Sequence, residues 1–498
     1  MLVGLNPVLI GLSCLGLGAI VLSALRPHLT LPLFFVWVPF ADLGKRLLWL
    51  PSGVTPSWTE YQIALLLPDL ILVAGAARAA YDLLIARSIR YKPIWLDLPV
   101  GLFLAWSFLN IFNPASTVYV GLVGFKSSAF YIAIYALLRL YWALRTLLRL
   151  RAIIVVTAAI AAAYAIVQIV AGFRPFELAW LSSGLSELGG QSGDLGLTIA
   201  MFGIERPFST FASHEQLAWY VGGALLLLAS FPRRTWYQWI ALAILALALP
   251  RILSRSAWAF TFAGVGAAIA LALAYRVKRA LVPLVAIPLI FGAGYAGWSG
   301  LQQVTGAETE DANAFEQRAT MLGTFEWRVY TFEALIGDSN WRRPLGNGTG
   351  SMWYAWRLGQ PGATNPESEE VRELGPTGLP EGKRVLSHVG TVDIIYELGL
   401  LGLALFVWLL AAAVISGWRV LRSAGSASAR LWIIVAIALA LGVVAANSTI
   451  TTVLAFRPIA SLFWLAIAIV GVFAVDTEKA TAPGAAPVSV SSGSLAGT

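Results

Sequence analysis

Only three histidines, His28, His214 and His388, occur in 498 residues, so proton transfer near neutral pH has few side chains to draw on. His388 opens the stretch His388-Val389-Gly390-Thr391-Val392-Asp393-Ile394-Ile395-Tyr396-Glu397-Leu398-Gly399-Leu400-Leu401-Gly402, at the head of an apolar run. A partly desolvated neutral imidazole there can take a proton from a hydroxyl, which makes His388 a candidate general base. A lone histidine at a helix start can equally be an interfacial cap. Three arginines offer the complementary chemistry: Arg206 in Glu205-Arg206-Pro207-Phe208-Ser209-Thr210-Phe211, Arg255 in Ser254-Arg255-Ser256-Ala257-Trp258, and Arg328 in Glu326-Trp327-Arg328-Val329-Tyr330. A charge near a bilayer is expensive to keep, and the forked guanidinium suits two-point grip on phosphate, so several converging arginines would hold a diphosphate. Taken singly, each also fits a snorkelling anchor or a structural ion pair, as Arg251 does one helical turn from Arg255.

Arg343-Pro344-Leu345-Gly346-Asn347-Gly348-Thr349-Gly350 carries three glycines at alternate positions, which permit tight turns or close backbone approach. It is not a P-loop, because no Gly-Lys-Ser/Thr follows, and by itself it says little about function. No Asp-x-Asp pair occurs in an expected external loop, which argues against sugar transfer through a metal held by paired carboxylates. Cys14 is the single cysteine, and with three histidines the chain has too few ligands for a multi-ligand metal site; no metal and no cofactor is expected.

These residues sit in a chain that cannot be an ordinary soluble globule. Charged residues make up 12% and hydrophobic residues 58%, with a mean hydropathy of +0.76, where soluble domains carry roughly a quarter charged. The net charge of +8 comes from short basic clusters between apolar runs, an arrangement of cytoplasmic loops and not of a nucleic-acid surface. Apolar runs long enough to cross a ~30 Å hydrocarbon core fall near 7–25, 29–43, 61–77, 94–112, 125–144, 152–171, 213–231, 236–250, 257–275, 280–299, 389–416, 431–446 and 457–475. The expected fold class is therefore an all-α polytopic membrane protein of 12–13 transmembrane helices. The doubt in the count lies at the start, where Arg26, Pro27 and His28 interrupt a run. No cleavable signal peptide is expected, since the first run lacks a basic n-region.

Basic residues at Arg78, Arg87, Arg90 and Lys92, at Arg145, Arg149 and Arg151, at Arg233 and Arg234, at Arg276, Lys278 and Arg279, and at Arg419, Arg422 and Arg430 face one acid, Asp82. The positive-inside rule assigns these loops to the cytoplasm and the others to the outside. Four units follow: N-terminal transmembrane helices over 1–299, a partly helical external loop subdomain over 300–388, C-terminal helices over 389–475, and a disordered Ala/Ser/Pro/Gly-rich cytoplasmic tail over 476–498.

Together, Arg206-Pro-Phe-Ser-Thr-Phe before one span, Ser254-Arg255-Ser256-Ala257-Trp258 heading another, Trp327-Arg328 followed by Arg343-Pro-Leu-Gly-Asn-Gly, and His388 with Glu397-x-Gly399-Leu-x-Gly402 resemble the O-antigen ligase and polymerase family of bacterial membrane glycosyltransferases. The resemblance covers about residues 120–475. It implies metal-independent transfer of a glycan from undecaprenyl diphosphate to a hydroxyl of an acceptor, either another glycan or lipid A core. The resemblance also implies the bacterial inner membrane, with the active site on its periplasmic side. His388 would correspond to the essential loop histidine, Arg255 and Arg328 to the donor-diphosphate arginines, and Arg206 more loosely to a further basic group. Membrane lipid is an implied partner, as is a chain-length regulator, and nucleic acid is not. Polymerase is slightly favoured over ligase, on chain length. Loop aromatics Trp341, Trp353, Tyr354 and Trp356 are candidates for stacking on sugar rings, or for a membrane belt.

The competing reading is a secondary transporter or lipid-linked oligosaccharide flippase using intramembrane charges such as Asp69 and Lys126. Asp69 can instead be a packing partner for a basic residue on a neighbouring helix. The enzyme reading expects Asp69→Asn to be tolerated.

Overall fold

The structure, a computed structural model, describes residues 6–50, 56–141, 144–183, 200–201, 204–231, 235–305, 343–352, 390–424, 426–449, 454 and 456–481. These are almost entirely helical, and the chain is an all-α, multi-pass membrane protein. In chain order the helices are α1 (Pro7–Leu25), α2 (Thr30–Trp37), α3 (Ala41–Leu47), α4 (Trp58–Ala80), α5 (Asp97–Leu109), α6 (Val118–Ser128), α7 (Ile132–Leu140), α8 (Leu144–Ala171) and α9 (Pro175–Leu181). They continue with α10 (His214–Leu228), α11 (Trp236–Arg251), α12 (Arg255–Ala274), α13 (Lys278–Thr305), α14 (Gly390–Ser423), α15 (Ala427–Thr449) and α16 (Arg457–Thr481). The exception is a two-rung antiparallel ladder pairing Ala200 with Glu205 and Met201 with Ile204.

Each expected apolar run is helical over most of its length, but not every run is a full span. Among the described residues seven helices are long and apolar enough to cross a membrane, and an eighth crossing follows if α6 and α7, bent by 52°, count as one. The shorter pieces have local causes. The run at 29–43 breaks at Pro39 into a 3-10 turn, and α3 then carries Asp42, Lys45 and Arg46. The run at 213–231 is trimmed to the 15 residues of α10, whose first turn is capped by Ser213 Oγ accepting from Gln216 N–H. Two expected unit boundaries fall inside helices, since α13 runs on to Thr305 and α16 to Thr481. Of the loop subdomain only 300–305 and 343–352 are described, and the tail beyond Thr481 lies outside the described residues.

Burial orders the bundle. The spanning part of α16 is 89% buried and that of α15 72%, against 17% for α1, so α15 and α16 form the axis and α1 the lipid-facing edge. With no hydrophobic drive between helices in lipid, close contact needs small residues. A Cβ on Gly442 of α15 would lie 2.7 Å from Phe260 O of α12, and one on Gly223 of α10 would lie 2.5 Å from Leu462 of α16. These contacts draw α10, α12, α15 and α16 together around the region where the candidate residues lie.

Candidate functional site

Helix α14 is two helices end to end, because Gly399 adopts φ 71° and ψ −176°, a conformation that a side chain rarely tolerates. A break frees carbonyls that would otherwise accept within the helix, and inside a membrane they must be satisfied by protein. The glycine-rich segment 343–352 does this. Asn347 N–H donates to Tyr396 O at 2.9 Å, Gly348 N–H to Glu397 O at 3.0 Å, and Trp106 Nε1–H of α5 to Leu398 O at 2.8 Å. In return Leu401 N–H donates to Pro344 O, and Met352 N–H donates to Glu397 Oε1 at 3.1 Å. The backbone of Gly350 bonds the same carboxylate.

The other side of the segment is pressed onto α5, α6 and the turn between them. Thr349 donates through N–H to Asn110 O and through Oγ1 to Ser107 O, and Asn113 Nδ2 donates to Gly346 O. Gly346, Gly348 and Gly350 all have positive φ, and Gly350 lies backbone to backbone against Gly124 of α6. A string that says little by itself is thus an inserted loop plugging a broken helix.

Next to this junction lies a partly open cavity of about 60 Å³, lined by Ser127 and Ser128 of α6, Gly390, Asp393 and Glu397 of α14, Asn447 of α15 and Trp464 of α16. Gly390 follows His388 by two residues in the sequence. Asp393 is 5% exposed and one helical turn from Glu397, so two carboxyls share one wall.

The Arg206 motif is held by a buried ionic network. Arg46 of α3 donates from Nε to Asp42 O, from Nη1 to Glu177 Oε1 at 3.2 Å, and from Nη2 to Ser209 O. Gln168 of α8 accepts from Ser209 N–H at 2.6 Å and donates to Glu177 at 2.8 Å. Asp42 accepts from Ala212 N–H at 3.1 Å and pairs with Lys45 at 2.9 Å. Ser209 has φ 51°, and these bonds are what hold it there. Arg206 itself is 2% exposed, with Nη1 2.7 Å from His214 Nε2 at the first residue of α10. A guanidinium only donates, so the contact makes Nε2 the acceptor of a neutral imidazole.

The starts of α10, α12 and α16 meet at Trp219. Its Nε1–H donates to Ser256 Oγ at 3.2 Å, Ser256 shares a hydroxyl contact with Ser254, and Phe456 packs on its ring at 5.2 Å. The motifs of Arg206 and Arg255 therefore head adjacent helices whose N-terminal, dipole-positive ends cluster. Arg457, opening α16, bonds Tyr131 Oη and Asp69, and Lys126 pairs with the same Asp69 at 2.9 Å. Asp69 and Lys126, the charges a transport path would use, neutralise one another, and Asp69 ties α4 to α6 and α16.

Of the expected site residues, Arg206 is fully described. Arg255 is the first residue of α12, with its side chain outside the described set. His388, Arg328, Trp341, Trp353, Tyr354 and Trp356 lie outside the described residues. Reasoning from sequence names His214, Asp393 and Glu397 without giving them a role, and passes over Asn447 and the Asp42-Lys45-Arg46 cluster. Three charges within five residues beside an apolar run, and a Glu-x-Gly inside one, were the available signals. Compared with known protein families and with curated proteins, the chain matches no family model and no curated relative.

Proposed function

We propose that the protein is an integral membrane glycosyltransferase of the O-antigen ligase and polymerase type. It moves a glycan from undecaprenyl diphosphate to an acceptor sugar hydroxyl on the periplasmic side of the inner membrane during surface-polysaccharide assembly. The observation that supports this reading most is the gathering of motif-bearing chain ends: α10 after Arg206, α12 at Arg255 and α16 meet at Trp219. Leu454 lines the cavity beside Gly390, itself two residues after His388, and Phe456, two residues on from Leu454, packs on Trp219. Clustered helix N-termini with arginines suit a diphosphate, and a base such as His388 suits the acceptor.

In this mechanism His388 takes the proton of the acceptor hydroxyl, whose oxygen attacks the anomeric carbon as the bond to the diphosphate oxygen breaks. Arg255 and Arg328 hold the departing undecaprenyl diphosphate and stabilise its developing charge. Arg206 adds a further basic group, kept in place by His214 and by the Arg46 network. A single displacement of this kind inverts the anomeric centre. Polymerase remains the favoured form over ligase to lipid A core. The test is glycan transfer by purified protein from an undecaprenyl diphosphate-linked oligosaccharide, beside Arg255→Ala and Arg328→Ala. Loss of transfer in both variants, with insertion intact, supports the assignment; wild-type rates in both overturn it.

A further inference from the structure

The cavity beside the α14 break is chemically mixed in a way that fits one compact group. Its volume of about 60 Å³ is several times the roughly 10–15 Å³ that a single water requires, room for a substituent of a few heavy atoms. Ser127 Oγ–H donates to Val123 O at 3.0 Å and Ser128 Oγ–H to Gly124 O at 2.9 Å. Their hydroxyl protons are thereby engaged with helix backbone, so towards a guest these oxygens act as acceptors, like the carboxylate of Asp393, while Glu397 Oε1 already accepts from Met352 N–H. Asn447 Oδ1 accepts from Leu454 N–H at 3.4 Å, which orients Nδ2 as the donor end of that side chain. Phe103, Phe406 and Trp464 pack against each other to make the apolar wall.

Acceptors on one wall, an amide donor on another and an aromatic face between them match a guest with one N–H, one carbonyl and one methyl. We infer that this cavity takes the acetamido substituent of an N-acetylated sugar. The N–H bonds the acceptor wall formed by α6 and α14, the carbonyl accepts from Asn447 Nδ2, and the methyl rests on Phe103 and Trp464. A hydroxyl in its place leaves the apolar wall uncovered and the amide without its acceptor. The inference rests on the glycosyltransferase reading for the presence of a sugar, and it adds a specificity-determining pocket that the general-base and diphosphate assignments do not contain.

The experiment compares binding of radiolabelled methyl 2-acetamido-2-deoxyglucoside and galactoside with the parent methyl hexosides, using the purified full chain in nanodiscs. The wild type is expected to prefer the acetamido probes by about tenfold or more, the range set by one small group in a fitted pocket. Asn447→Leu removes the donor and Phe103→Trp fills the space, and each should cut that ratio to about threefold or less. Leu400→Ala, on the same α14 but half exposed to lipid, keeps the wild-type ratio. Size-exclusion profiles check that each variant is folded, and either of the two pocket variants suffices. Equal binding of both probe classes by the wild type, or an unchanged ratio in both pocket variants, overturns the inference. Transfer from a polyprenyl diphosphate donor in the same preparations reports separately. Preference without transfer keeps the pocket and removes the enzyme, and transfer without preference does the reverse.

Discussion

Gly350→Ala should undock the inserted loop from the bundle. Gly350 has φ +78°, and a Cβ there would lie 2.7 Å from both Gly124 Cα and Val120 O. The left-handed conformation alone costs a residue with a side chain about 1–2 kcal/mol. Because both clashing atoms belong to the backbone of α6, which cannot turn aside as a side chain would, the loop must lift. Lifting breaks at least the Thr349 N–H to Asn110 O bond and the Met352 N–H to Glu397 bond, at about 1 kcal/mol each. The combined loss is about 3–4 kcal/mol, or roughly a 10²–10³-fold rise in the undocked fraction at 1.4 kcal/mol per tenfold. The assay is thiol accessibility at position 351. Ser351 is 3% exposed and its hydroxyl has no hydrogen-bond partner among the described residues, so Ser351→Cys is a mild reporter once Cys14 is replaced by Ser. A membrane-impermeant maleimide should label the reporter slowly in the parent and at least about tenfold faster with Gly350→Ala. Equal labelling rates with and without Gly350→Ala would refute the claim that this close approach holds the loop.

Gly399→Ala meets Pro344 O in a backbone conformation reserved for glycine, so it should lower thermal stability by about 1–3 kcal/mol and expose the same reporter; an unchanged melting curve contradicts this. Arg46→Met leaves Glu177 buried without its cation and should cost about 3–5 kcal/mol, much of it regained in Arg46→Met/Glu177→Gln. A double variant no more stable than the single one would show that the pair is not the unit. Asp69→Asn strands Arg457 and Lys126, so in place of the tolerance expected from sequence, it should reduce yield and melting temperature while sparing the transfer rate per folded molecule. Trp219→Phe removes the indole bond to Ser256 and should cost about 1 kcal/mol, read from the same melting curves.

Helical class and membrane embedding were legible because composition and run length speak locally. Span number was less so, since hydropathy counts the run at 29–43 as continuous while Pro39 and the charges of α3 break it. The glycine string at 343–350 looked uninformative because its partners, the carbonyls of Tyr396 and Glu397, lie about fifty residues away and are freed only by the break at Gly399. Asp69 offered one charge with no visible counter-ion, because Arg457 is nearly four hundred residues distant in the chain. The Arg206 and Arg255 motifs were found from residue type alone. That they head neighbouring helices became visible only through Trp219 and Ser256.

The most direct test of the proposed glycosyltransferase is a product gel. Purified protein is mixed with undecaprenyl diphosphate-linked oligosaccharide, with and without lipid A core, beside the His388→Ala variant. A ladder formed without added core, and absent with His388→Ala, is the expected result. Product only in the presence of core would make the protein a ligase. No transfer from the donor under either condition, or an undiminished ladder with His388→Ala, would contradict the assignment of His388 as the base of a glycosyl transfer.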